Sequence, residues 1–134
     1  MRLLAVLFAL LAALTLSACT ASSDSSSDFS GAEREVATTV EDLQSAAKDE
    51  DASEVCRTLL AKSLLDELRG RGVQCAAAVA KAIDGADTTE LDVKSVRVTG
   101  TTATARVESG SGDSATTRTV RLEREGRNWK IAAL

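Results

Sequence analysis

The chain has no histidine and no tyrosine, a single tryptophan and two phenylalanines among 134 residues. Without histidine there is no Ser-His-Asp triad, no Cys-His dyad and no histidine-based metal site. Few stacking rings and a formal net charge of −4 argue against nucleic acid as a partner, since that polymer wants a basic, aromatic-bearing surface. The three cysteines include no Cys-x-x-Cys pair, the usual spacing of a catalytic dithiol. No apolar run reaches the roughly 20 residues that a spanning helix needs. The longest, Leu3 to Leu16, is an export-signal core behind the positive charge of Arg2.

That run ends in Leu16-Ser17-Ala18-Cys19, which resembles the lipobox of bacterial lipoprotein precursors. The resemblance implies residues 1–18 as a cleaved signal peptide and Cys19 as the lipid attachment site, with a diacylglyceryl group on its sulfur. The location implied is the extracytoplasmic face of the cell membrane, with the acyl chains on Cys19 in the bilayer. Each buried methylene is worth about 0.8 kcal/mol, and one chain holds only marginally, so two or three are expected. An ordinary secretory signal with a chance cysteine is the alternative. Cleavage removes one charge, Arg2, and leaves 116 residues with 15 basic and 20 acidic side chains. That length fits one small domain.

Residues 19–30 read as the lipidated cysteine followed by a Ser/Asp-rich tether, too poor in apolar surface to fold alone. As a flexible coil of about ten residues it would span on the order of 17 Å. Residues 31–134 form the domain. Ser30 and Glu33 have capping-box spacing, and Val36, Val40, Leu43 and Ala47 make the stripe of a long amphipathic helix. Asp49-Glu50-Asp51 ends it. Asp51 and Glu54 open a second helical stretch that runs to Gly70 and Gly72, either one bent helix or two breaking near Ala61 to Ser63. A short helix over Cys75–Ile83 follows.

Cys56 and Cys75, the pair left once Cys19 is acylated, read as a disulfide in an exported domain; two buried thiols or a redox pair are the alternatives.

From Leu91 the periodicity changes to two. Val93, Val96 and Val98 carry a first strand with a phase slip at Lys94-Ser95 that predicts a bulge. Ala103, Ala105 and Val107 carry a second, Val120 and Leu122 a third, and Trp129, Ile131 and Ala133 a fourth. Short connections predict an antiparallel meander, so the fold class is α+β, with N-terminal helices packed on a four-stranded sheet.

The long first helix, the cysteine in Val55-Cys56-Arg57-Thr58-Leu59 and the closing Gly-Arg-Asn-Trp-Lys-Ile at 126–131 resemble lipid-anchored members of the nuclear transport factor 2-like superfamily. That resemblance implies a bent sheet wrapped around a helix into a cone. Isomerases, dehydratases and pure binding modules share this frame, so it transfers fold rather than function. Its isomerase-like members use a carboxylate base with a tyrosine at the oxyanion, and this chain has no tyrosine.

No catalytic residue and no cofactor or metal ligand is therefore assigned. Ser45-Ala46-Ala47-Lys48 has the Ser-x-x-Lys spacing of penicillin-interacting serine enzymes, but neither Ser-Asp-Asn nor Lys-Thr-Gly accompanies it. Glu123 and Glu125 fall in a solvated charge run. The outward strand positions collect Arg97, Arg106, Arg121 and Lys130 with Glu108 and Glu123, a solvated face with cross-strand pairs or a docking surface for an anionic wall polymer or protein. Arg118 shares the inward parity of Val120. Either the strand runs past the core there, or its guanidinium is an anion contact at the cone mouth and the candidate ligand-binding residue. The functional expectation is a lipid-anchored, non-enzymatic module that binds an envelope protein or a small ligand, an anionic one where Arg118 is the contact. The alternative is a small carboxylate-dependent isomerase or hydrolase on the same fold.

Overall fold

The computed structural model describes residues 25–86, 90–110 and 112–134. The expected signal peptide, the expected lipid attachment site at Cys19 and the first part of the expected tether lie outside the described residues.

Helix α1 spans Gly31–Lys48 and buries Val36, Ala37, Thr39, Val40, Ala46 and Ala47. Ser30 stands at its N-cap with extended backbone, but its hydroxyl makes no capping bond, so the expected capping box is not formed. The C-terminus closes in a Schellman turn. Glu50 donates its N–H to Ala47 O at 3.1 Å and Asp51 to Ala46 O at 2.9 Å. Glu50 takes the left-handed conformation at φ 55° that this turn requires.

Asp51 caps the next helix, accepting the Glu54 N–H on its carboxylate at 2.8 Å. This short helix, α2 (Ala52–Glu54), continues into a π-helical turn, Val55–Leu59. The chain then extends at Leu60 and Ala61 before α3 (Lys62–Gly70), so the second helical stretch is indeed two pieces. Helix α4 spans Cys75–Asp84, and the Cys56–Cys75 disulfide fastens its first residue to the π turn with the two Cα atoms 6.1 Å apart.

Strands β1 (Leu91–Thr99), β2 (Thr102–Ser109), β3 (Thr116–Glu125) and β4 (Asn128–Ala133) form an antiparallel sheet in sequence order. Its register shifts between Val93 and Ser95, the site of the predicted bulge. The fold is α+β, with helices packed against the sheet. Helix α1 covers the inner face. Val93, Ala105, Val107, Val120, Leu122, Trp129 and Ile131 are buried beneath it with Val36 and Val40. Leu122 and Ile131 are almost wholly buried; each such side chain stabilises the fold by roughly 1.5–3 kcal/mol relative to exposure.

Both free sheet edges are blunted. Leu60 forms a parallel bridge with Ile131, and Ala61 donates its N–H to Ile131 O at 2.8 Å, which covers β4. At β1, Val93 donates its N–H to the Ser25 hydroxyl at 3.1 Å. Ser25 opens a 3₁₀ turn, Ser25–Asp28, and Ser26 donates its N–H to Glu41 Oε1 at 2.6 Å. The end of the polar run placed in the tether thus docks on the domain, because a strand edge and a helix carboxylate supply the partners its polar groups need.

Helix α3 is tied across the outward side of β3. Lys62 donates its N–H to Glu125 Oε1 at 2.6 Å, and the Ser63 hydroxyl donates to Glu123 Oε2 at 2.9 Å. These two acids therefore anchor a helix N-terminus rather than standing free in a solvated run.

Candidate functional site

Between α1, the α2/π turn and the start of β4 lies an open groove of about 1020 Å³. Helix α1 contributes one face at intervals of three, four and seven residues: Glu35, Thr38, Asp42, Ser45 and Asp49. Asp51, Glu54, Thr58 and Leu59 form the facing wall, and Arg127, Asn128, Trp129 and Lys130 close the end. The π turn brings Thr58 and Leu59 to this wall, and Lys130 Nζ donates to the carbonyl oxygen of Thr58, pinning the turn to β4.

Trp129 is buried at 3% exposure, and its indole Nε1 has no hydrogen-bond partner among the described residues. Arg124, on the inward parity of β3, is its cross-strand neighbour and holds its guanidinium 5.7 Å from the ring centroid. The same guanidinium lies 4.0 Å from the Glu35 carboxylate of α1. Asp42 has its pKa raised, first by partial burial in the groove wall and then by the neighbouring Glu41 charge.

Acids predominate in this groove, and most are already engaged. Asp51 caps α2, Glu54 pairs with Arg57 and Thr58, and Glu35 faces Arg124. Asp42 and Asp49 make no ion pair among the described residues. The arrangement offers polar and cationic groups a place to bind beside an indole. Among the described residues, no cluster of three or more Cys, Asp or Glu side chains is placed to hold a metal ion.

Arg118 lies opposite Val107, is exposed, and lines neither this groove nor the notch between α3 and the sheet. The groove is at the opposite end of β3, where Arg124 stands. Sequence parity could have flagged Arg124 as it flagged Arg118, since both keep step with Val120 and Leu122. Cys56 and Cys75 are brought together as expected. Cys19 lies outside the described residues. The Ser45 and Lys48 side chains make no hydrogen bond to one another among the described residues.

On the outward face one of the expected cross-strand pairs forms among the described residues, between Lys94 of β1 and Glu108 of β2. Glu108 faces Asp92, and Lys94 serves both carboxylates, at 3.7 Å to Glu108. Glu123 is held by Ser63, and Lys130 turns to Thr58. Arg97, Arg106 and Arg121 consequently make no ion pair among the described residues.

Comparison with protein-family models, curated proteins and solved structures gives no match. Among the described residues, no helix is long and apolar enough to cross a membrane.

Proposed function

We propose that this chain is an exported lipoprotein, anchored through Cys19, whose domain is a non-enzymatic binding module with the groove beside Trp129 as its recognition surface. The observation that carries this reading is how the inner face is used. Helix α1 and the sheet fill it with Val36, Val40, Val107, Val120, Leu122 and Ile131, all buried, which leaves no chamber there for a solvated substrate. The buried polar side chains among the described residues are Ser25 and Thr39, neither of them an acid or base suited to proton transfer. The carboxylates sit instead on an open groove, where they select a ligand by charge and hydrogen bonding. A four-stranded meander laid over one long N-terminal helix is also compatible with a nuclear transport factor 2-like frame, which we include in the proposal.

Two measurements test it. Cys19→Ser should abolish fatty-acid labelling and leave the precursor uncut at Ala18; labelling at the mature size in that variant overturns the anchor. Trp129 is the sole tryptophan and no tyrosine is present, so intrinsic fluorescence reports on the groove alone. Titration with envelope-derived amines, amino acids and short peptides should give a saturable change that Asp42→Ala weakens. Turnover of any compound, abolished by replacing one carboxylate, overturns the non-enzyme reading.

A further inference from the structure

Three uncompensated costs meet in the groove beside Trp129. Asp49 stands at the C-cap of α1, the negative end of the helix, where a carboxylate is disfavoured, and it has no ion-pair partner among the described residues. Asp42, seven residues earlier on the same helix face, is partly buried, has its pKa raised and is likewise unpaired. Trp129, 3% exposed, lines the groove and leaves its indole N–H without an acceptor among the described residues, a cost that a buried donor sheds only by finding one. Folds tolerate such costs where a ligand relieves them.

The groove is also polar along its length. Arg34 and Arg127 line it, and neither makes an ion pair among the described residues. Arg34 belongs to the first turn of α1. Arg127 follows Arg124 in the turn into β4, and Arg124 reaches Glu35, so both lining arginines stand toward the N-terminal end of α1. The other acids of the groove are engaged: Asp51 caps α2, Glu54 pairs with Arg57, and Glu35 faces Arg124. The unpaired charges are thus positive toward one end and negative toward the other, in the same sense as the α1 dipole.

Helical rise sets the scale. Asp42 lies about 12 Å along the axis from Arg34, and Asp49 about 22 Å. A single amino acid, with both charges on one carbon, cannot bridge that span, whereas four extended residues cover about 13–14 Å.

We propose that the groove takes a short zwitterionic peptide, extended along α1, with its carboxylate toward Arg34 and Arg127 and its ammonium at Asp42. This assignment deepens the binding-module reading and rests on it. A peptide carbonyl settling on the floor gives the Trp129 N–H its acceptor, and a peptide longer than four residues carries its ammonium on toward Asp49. A linear diamine would answer the acids but neither the arginines nor the indole N–H.

The test uses the full-length chain in detergent, disulfide intact, with Trp129 emission and heat of binding as readouts. Tetra-alanine is titrated with both ends free, N-acetylated, C-amidated or blocked at both ends. The free form should bind most tightly, and blocking either end should weaken it roughly fivefold, the worth of one exposed ion pair. Asp42→Ala should weaken the free and C-amidated forms by the same factor and leave the N-acetylated form unchanged. Arg127→Ala should weaken the free and N-acetylated forms and spare the C-amidated one. Equal affinity for all the forms, or an N-acetylated form that still responds to Asp42→Ala, overturns the proposal. So does diaminooctane binding more tightly than free tetra-alanine and losing affinity in Asp42→Ala; that outcome keeps the groove as a recognition surface and changes only its ligand. Silence from the peptides and the diamine alike sinks both the proposal and the groove reading beneath it.

Discussion

Arg124 and Trp129 are direct cross-strand partners, and the guanidinium sits 5.7 Å from the centroid of the indole. The contact joins the end of the core to the end of the groove, because Arg124 also faces Glu35 on α1. A cation over an aromatic face at a partly exposed site contributes about 0.5–1 kcal/mol. Arg124→Ala should therefore lower stability by about that amount in a denaturant titration. It should also shift the emission of the only tryptophan, because the guanidinium beside the ring is replaced by solvent. An unchanged spectrum would mean that the stacking does not persist in solution.

Glu50 is the residue of positive φ other than glycine among those described. Its side chain opposes the left-handed turn by about 1 kcal/mol, and its carboxylate stands at the negative end of α1. Glu50→Gly should raise stability by roughly 0.5–1 kcal/mol, which is about 3 °C or more in melting temperature for a domain of this size. Glu50→Ala keeps the steric conflict and should recover only the charge component. Equal gains from the two would place the effect in electrostatics.

The Cys56–Cys75 bridge closes a loop of sequence separation 19, and in the chain-entropy model it stabilises by roughly 3 kcal/mol. Replacing both cysteines with alanine should cost about that in a denaturant titration. Peptide mapping without reductant should recover the linked pair, and two alkylatable thiols in the oxidised protein would contradict it.

Local periodicity made much of this fold legible. Val36, Val40 and Ala47 recur at helical spacing, the strands alternate, and the phase slip at Lys94 falls where the register shifts. Features created by distant segments left no such trace. Nothing in the tether's composition marks Ser25 as the serine that caps a strand edge 68 residues later. The groove needs α1, the π turn and β4 to meet, and the π turn is one extra residue per turn that apolar spacing does not register. Arg118 and Arg124 share one parity. Which of them lies beside the groove depends on where α1 crosses the sheet, and that is a tertiary fact.

Asp42 gives a pH test of the groove. Its pKa is raised, chiefly by burial and secondarily by Glu41, so the folded state binds its proton more tightly than the unfolded chain. Its ionised form therefore opposes folding at neutral pH, and this penalty is relieved as pH falls through the folded pKa. Asp42→Asn should stabilise the domain at pH 7. The advantage should shrink on acidification and vanish once aspartate is protonated in both states, below about pH 3.9. Melting curves of the two proteins across pH 3–7 measure this; a constant offset would contradict it.

Helix α3 begins without a capping side chain of its own, since Ala61 occupies the N-cap. The missing acceptors come from β3, where Glu125 accepts the Lys62 N–H at 2.6 Å and Glu123 accepts the Ser63 hydroxyl at 2.9 Å. A carboxylate at a helix N-terminus satisfies an orphan donor and meets the positive end of the helix dipole, an arrangement worth about 1 kcal/mol. Glu125→Ala should cost about that much, and the loss should be local. Amide exchange in the first turn of α3 should accelerate, while α1 and the central strands keep their protection. Ser63→Asp would place an acid inside the same turn but beside Glu123. In the wild type like charges should make it unfavourable, and in Glu123→Ala it should restore part of the lost stability. If Ser63→Asp has the same effect in both backgrounds, the two residues are not coupled, and α3 is held to the sheet by the apolar contacts of Leu64 and Leu65 with the core.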